Sequence, residues 1–148
     1  MLIASRWLLA ATLALAGTSV HAAECLPRVE SAWVRLPPVA MPMMAGFATL
    51  SNPCETPLQV VSASSPAFAD VSIHQSTVVD GINRMREVDV LEIPAGGSVE
   101  LKPGSYHLML MQPKTAPKAG DKVSIVLKLQ DGRELPASFQ VRANPNAS

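Results

Sequence analysis

The chain has 148 residues, with 12 Lys plus Arg against 12 Asp plus Glu and only three histidines. A formal charge of zero gives no electrostatic footing for nucleic acid or an anionic membrane surface as partner, because both are held by clustered basic residues. The length suits a single domain with its own core once the N-terminal segment is set apart.

That segment, "MLIASRWLLAATLALAGTSVHAA", has the three parts of an export signal: a basic residue at Arg6, an apolar run from Trp7 to Ala16, and a small-residue end suited to cleavage after Ala22 or Ala23. The run is short of the roughly 20 apolar residues that span a bilayer. Residues 1–23 are therefore expected to be a cleaved signal peptide, and residues 24–148 a single exported β-domain without a membrane anchor. Lipidation at Cys25 is not expected, because Glu24 stands where a small residue would precede a lipidated cysteine. In an oxidising compartment, Cys25 and Cys54 are expected to pair.

Thirteen prolines and eight glycines are dispersed through the rest of the chain. Between them lie short apolar or alternating segments, the pattern of many short strands. Strands are predicted near residues 30–36, 46–51, 59–63, 71–75, 82–88, 98–101, 107–112, 122–130 and 134–141. No window keeps a helical period. Asp80-Gly81 and Asp131-Gly132 have the composition of tight hairpin turns, and Pro103-Gly104 marks a third turn. The predicted architecture is all-β, an antiparallel β-sandwich or Greek-key barrel.

Candidate metal donors are few. After export two histidines remain, His74 and His107, with six methionines: Met41, Met43, Met44, Met85, Met109 and Met111. In "GSYHLMLMQP" the strand pleat puts His107, Met109 and Met111 on one face and Leu108 and Leu110 on the other. If Asp80-Gly81 is a two-residue loop, position 74 lies opposite 87, and Met85 becomes a diagonal neighbour of His74 on the same face. Thioether sulfur is soft and neutral, so two imidazoles with two thioethers suit Cu(I) rather than Mg²⁺, Ca²⁺ or structural Zn²⁺. A blue-copper electron-transfer centre would need a cysteine thiolate, and no cysteine follows Cys54.

The pattern of His74, ten residues, Met85, twenty-one residues, then "HLM" at His107–Met109 resembles the histidine–methionine motif of the PCu(A)C copper chaperones, also called the DUF461 family. The similarity extends through "ESAWVRLPP", "MAGFATLSN" and "HLMLMQP". It implies a cupredoxin-like β-barrel in the periplasm, working as a monomer. It implies one Cu(I) held by His74, Met85, His107 and Met109 and delivered to a copper-accepting oxidase subunit, at the binuclear centre of cytochrome c oxidase, alongside a Sco-type thiol protein. Two departures are visible: Gln75 stands where many members have methionine, and the end "RANPNAS" lacks the His- and Met-rich tail that binds Cu(II) in some.

Two other readings stand beside this one: a periplasmic copper-buffering or resistance protein using the same ligands, and a metal-free β-sandwich interaction module. Met111 and the "MPMM" run at Met41–Met44 are expected to pack beside the site, and Trp33 and Tyr106 to belong to the core. No nucleophile, base and acid constellation points to an enzyme.

Overall fold

The computed structural model describes residues 25–144, so the expected signal peptide lies outside the described residues. Ten strands are present, and no helix among the described residues: β1 (Arg28–Leu36), β2 (Met43–Ser51), β3 (Leu58–Ser64), β4 (Phe68–Val79), β5 (Ile82–Glu87), β6 (Leu91–Ile93), β7 (Ser98–Leu101), β8 (Tyr106–Pro113), β9 (Lys122–Leu129) and β10 (Glu134–Ala143). β6 is the one strand without a counterpart in the sequence reading. Its three residues, closed off by Pro94, are too few to display alternation.

Strands β4, β8, β2, β1, β10, β9 and β3 hydrogen-bond in that order, and β3 returns to β4 at Ala63↔Val71, closing the sheet into a barrel. β5 extends the sheet from β4, and β6 extends it from β3. Two stretches lie end to end along β2: β7 pairs with residues 48–51 and β8 with residues 43–46. The break between them is a turn at Lys102–Ser105, closed by the Ser105 N–H donating to the Lys102 carbonyl at 3.1 Å, with Gly104 at φ 79° as Pro-Gly turns of this type require. The antiparallel expectation fails at two places: β7 and β8 make a short parallel pairing at Leu101↔Tyr106, and β1 and β10 pair in parallel over four residues. β1 and β10 lie at opposite ends of the described chain, so no tight hairpin constrains their relative direction.

The Asp80-Gly81 hairpin is a two-residue loop with both central residues at positive φ, 53° and 74°, as its register demands. Asp131-Gly132 turns the chain differently. Leu129 and Arg133 face each other across a three-residue loop, with Gly132 at φ 90° and its N–H donating to the Leu129 carbonyl at 2.9 Å.

One apolar core fills the barrel. Val34, Leu50, Val60, Ile93, Leu108, Leu110, Ile125, Leu127, Phe139 and Val141 are all at 1% exposure or less. Gly46 faces Leu108, and a Cβ there would come within 3.3 Å of the Leu108 Cβ, so β2 and β8 approach as closely as they do only because the position has no side chain. Trp33 departs from expectation. It is half-buried outside this core, its ring 4.8 Å from that of Phe47 on the outer face of the sheet.

Cys25 and Cys54 form a disulfide with Cα atoms 5.7 Å apart, joining the entry of the described chain to the β2–β3 loop. Arg133 reinforces the entry point, donating from Nη1 to the Cys25 carbonyl at 2.6 Å. The bond closes a sequence separation of 29 residues. On the chain-entropy account, its reduction is expected to cost roughly 3 kcal/mol of stability, seen as a lower denaturant midpoint in a chemical unfolding curve with and without reductant. An unchanged midpoint would show the bond to be without stabilising effect.

Candidate metal centre

β4 and β8 pair in the register His74↔His107, with Ser72↔Met109, Asp70↔Met111 and Ile73↔Leu108. The leucines at 108 and 110 point into the barrel, at 1% and 0% exposure. Alternation then sends His74, His107 and Met109 to the outer face. The donors therefore lie on the outside wall of the barrel and not in its lumen. His107 is nevertheless only 7% exposed, deeper than an outward-facing strand residue is expected to be. Its cover comes from sequence-distant segments.

Part of that cover is Met85. On β5 it pairs with Ser76, so its side chain must cross the width of β4, about 5 Å per strand, to reach β8. It does so over the small Ser76 and brings Sδ to 3.2 Å from His107 Nε2. The expected diagonal relation to His74 holds in the backbone register, but the sulfur goes to the other histidine.

The His107 ring is oriented from behind. Its Nδ1 lies 3.2 Å from the Ser105 carbonyl oxygen, which can only accept, so the neutral ring carries its proton on Nδ1. Nε2 is then a bare lone pair facing the lone pairs of a thioether. Two electron-pair donors at 3.2 Å gain little from each other, and both gain from a cation between them. Burial holds the His107 imidazole below its ordinary value of 6.5, against the raising effect of the Ser105 carbonyl; the neighbouring His74 and Arg35 also lower it. His107 is thus kept neutral and available.

His74 sits directly across from His107, its ring centroid 5.9 Å away and its plane tilted by 35°. Its Nε2 shares a hydrogen bond with Ser72 Oγ at 2.9 Å, while its Nδ1 is buried without a partner. A buried imidazole nitrogen with nothing to bond to is costly in a folded protein and marks a position where a ligand would satisfy it.

A cleft of about 560 Å³ opens onto these groups, lined by Met85, His107 and Met109 with Arg35, Met41, Met43, Ser76 and Asn83 among others. Three of the four predicted donors meet there; His74 lies beside His107 but outside the lining. The lining contains no carboxylate, and its one charged residue is Arg35, whose guanidinium is held 5.2 Å over the Phe47 ring. Among the described residues no group of three His, Cys, Asp or Glu could hold a metal. The donors that do meet at the cleft, an imidazole and thioethers, favour soft, low-charge cations.

Sequence reasoning missed Ser72, Ser105 and Arg35. Ser72 was within reach, standing two residues before His74 on the same pleat face. The Ser105 contribution is a backbone carbonyl and leaves no side-chain signal.

Comparison with known proteins places this geometry in a lineage. A relative from Leifsonia xyli subsp. xyli, "Putative lipoprotein Lxx21020", is 33% identical over 116 residues, 78% of this chain and 69% of that protein. The solution structure of the Cu(I) form of DR1885 from Deinococcus radiodurans is 32% identical, with a TM-score of 0.67 over 85% of each chain. Its apo form is 29% identical, with a TM-score of 0.64 over 99% of this chain and 98% of that one. The apo PCuAC domain of PmoF1, at 19% identity and a TM-score of 0.67 over 80% of this chain and 94% of that domain, shares the fold. "Lipoprotein" describes the Leifsonia relative; here the Cys25 sulfur is bonded to Cys54 and cannot also carry a thioether-linked lipid. Residues 28–141 match the model of the family described as "Putative lipoprotein LpqE-like", and the chain belongs to this family of PCuAC (DUF461) β-barrels.

Proposed function

We propose that this protein is an exported copper carrier that binds one Cu(I) ion through His74, Met85, His107 and Met109 and delivers it to the binuclear copper centre of cytochrome c oxidase, with a Sco-type thiol protein as co-worker. The observation that carries the reading is the approach of the bare His107 Nε2 to the Met85 sulfur at 3.2 Å, with Nδ1 tied to the Ser105 carbonyl. The unpartnered Nδ1 of His74 supports it: in the tautomer whose Nε2–H donates to Ser72 Oγ, the Nδ1 lone pair is free to ligate. A relative 32% identical to this chain has been solved in a Cu(I) form, which supports copper as the cargo.

All four ligands are neutral, so the site keeps the single positive charge of Cu(I). Cu(II) would leave twice that charge beside the Arg35 guanidinium, which disfavours the oxidised ion. A thiolate acceptor offers the negative charge that this site withholds, and transfer toward it runs downhill. The role in this reading is carriage rather than catalysis, since soft neutral donors suit an ion that is held and passed on.

Native mass spectrometry under reducing conditions is expected to show one tightly held Cu(I) per chain. His107→Ala and Met109→Leu should each weaken it by at least about 100-fold, since even loss of a supporting hydrogen bond costs metal sites tenfold or more. Unchanged affinity in both variants would refute the ligand set.

Protons compete with the ion for imidazole nitrogen. Because the His107 value is lowered, acidification reaches it only below the ordinary range, and its neutral form persists through about pH 6.5. Cu(I) affinity is therefore expected to be level above about pH 7 and to fall on acidification below about pH 6, measured by competition with a chelator corrected for its own protonation. An affinity flat to about pH 5 would exclude histidine ligation.

A further inference from the structure

The Met41–Met44 run is not used by the site above, and its four residues do not share one environment. Met44 turns into the core at 5% exposure, whereas Met41 and Met43 leave 45% and 38% of their surface exposed. Both exposed methionines line the same cleft as Met85, His107 and Met109.

Register fixes their neighbours. β2 pairs with β8 as Met43↔Met111 and Ala45↔Met109, which puts Met43 directly across from Met111 on the face that carries the donors. Directly opposed side chains have Cβ atoms about 4.5–5.5 Å apart, within reach of a shared ion for two flexible thioethers. The chain just before β2 is held against β8 as well, since the Gln112 N–H donates to the Pro42 carbonyl at 2.6 Å. Met41 lies just before β2, beyond the strand, and is brought beside Met43 at the cleft that both residues line. On the far side of Met111, β4 places the exposed Asp70 at the paired position Asp70↔Met111, a carboxylate that attracts a cation without having to ligate it. Met111 is the next residue after Met109 on this face of β8, and Ala45 lies across from Met109, so the two groups of donors adjoin.

Packing alone does not account for the arrangement. A gap-filling methionine is buried, as Met44 is, whereas Met43 is exposed and the Met111 opposite it is only partly buried. What the thioethers add over leucine is a soft donor.

We propose that Met41, Met43 and Met111 form a second, thioether-only site for a soft monovalent cation, Cu(I) or Ag(I), next to the first site along the same face. The inference rests on the reading of His74, Met85, His107 and Met109 as the first site, and the test separates the two. The probe is Ag(I), a redox-inert stand-in for Cu(I), titrated into the full exported protein labelled at the methionine methyl carbons. The first equivalent is expected to shift the Met85 and Met109 methyl signals and the second those of Met41, Met43 and Met111. Native mass spectrometry should show two ions. In Met41→Leu/Met43→Leu, a volume-conserving pair that preserves the fold, the second ion should disappear while the first is held unchanged.

A second equivalent that fails to bind, that moves none of the three methyl signals, or that persists in the double variant would overturn the second site. A first equivalent that leaves Met85 and Met109 unmoved would instead overturn the reading of the first site; shifts at Met41, Met43 and Met111 would then still establish the thioether site by itself.

Discussion

Everything in the site depends on the pairing of β4 with β8 in one particular register. Because side chains alternate with a period of two, a slip by one residue would turn Leu108 and Leu110 out of the barrel and drive His107 and Met109 into it. Burying the leucines is worth on the order of 1.5–3 kcal/mol each, and burying an imidazole and losing the leucine contacts would be penalised in addition. The core thus enforces the position of the donors, although no donor belongs to it. Gly46 fits the same constraint, since a Cβ there would come within 3.3 Å of the Leu108 Cβ and press β2 and β8 apart by a few tenths of an ångström.

Around that frame, each donor is prepared by a different neighbour. The Ser105 carbonyl selects the His107 tautomer, and the same oxygen accepts from the Ser76 N–H at 3.0 Å, so it ties the ring to the β4 backbone. Ser72 holds one nitrogen of His74 and leaves the other without a partner. Arg35, held over Phe47, puts a fixed positive charge on the wall of the cleft. Apolar walls, soft donors and one positive charge together suit a small, polarizable, singly charged guest and repel a hard dication.

Much of this was legible in the sequence, and for identifiable reasons. Asp80-Gly81 specifies a two-residue turn, and from it alone the pairing of 74 with 87 follows, as found. The alternation in "HLMLM" separates inner leucines from outer donors without further information. What could not be read is whatever depends on contacts between distant segments. Alternation says nothing about which strand lies beside which, so the parallel β1–β10 pairing is invisible in the residues themselves. Register arithmetic locates Cβ atoms but not where a flexible side chain ends, so the Met85 sulfur was expected near His74 and lies against His107. Trp33 reads as a core residue because aromatic side chains in strands usually are, and only its tilted contact with Phe47 reveals a separate cluster on the outer wall. The strand at Leu91–Ile93 shows the lower limit of pattern reading.

The β4–β5 hairpin carries Met85 on a strand whose six residues are all exposed and which is bonded on one side only. An element with so little buried surface opens locally far more often than the barrel unfolds. Three of the proposed ligands therefore ride on the most persistent part of the molecule and the fourth on its most labile arm. With the proposed ligands, such a division would uncouple how strongly an ion is held from how quickly it can be let go: residence time would follow the fraying of a hairpin rather than the stability of the whole domain.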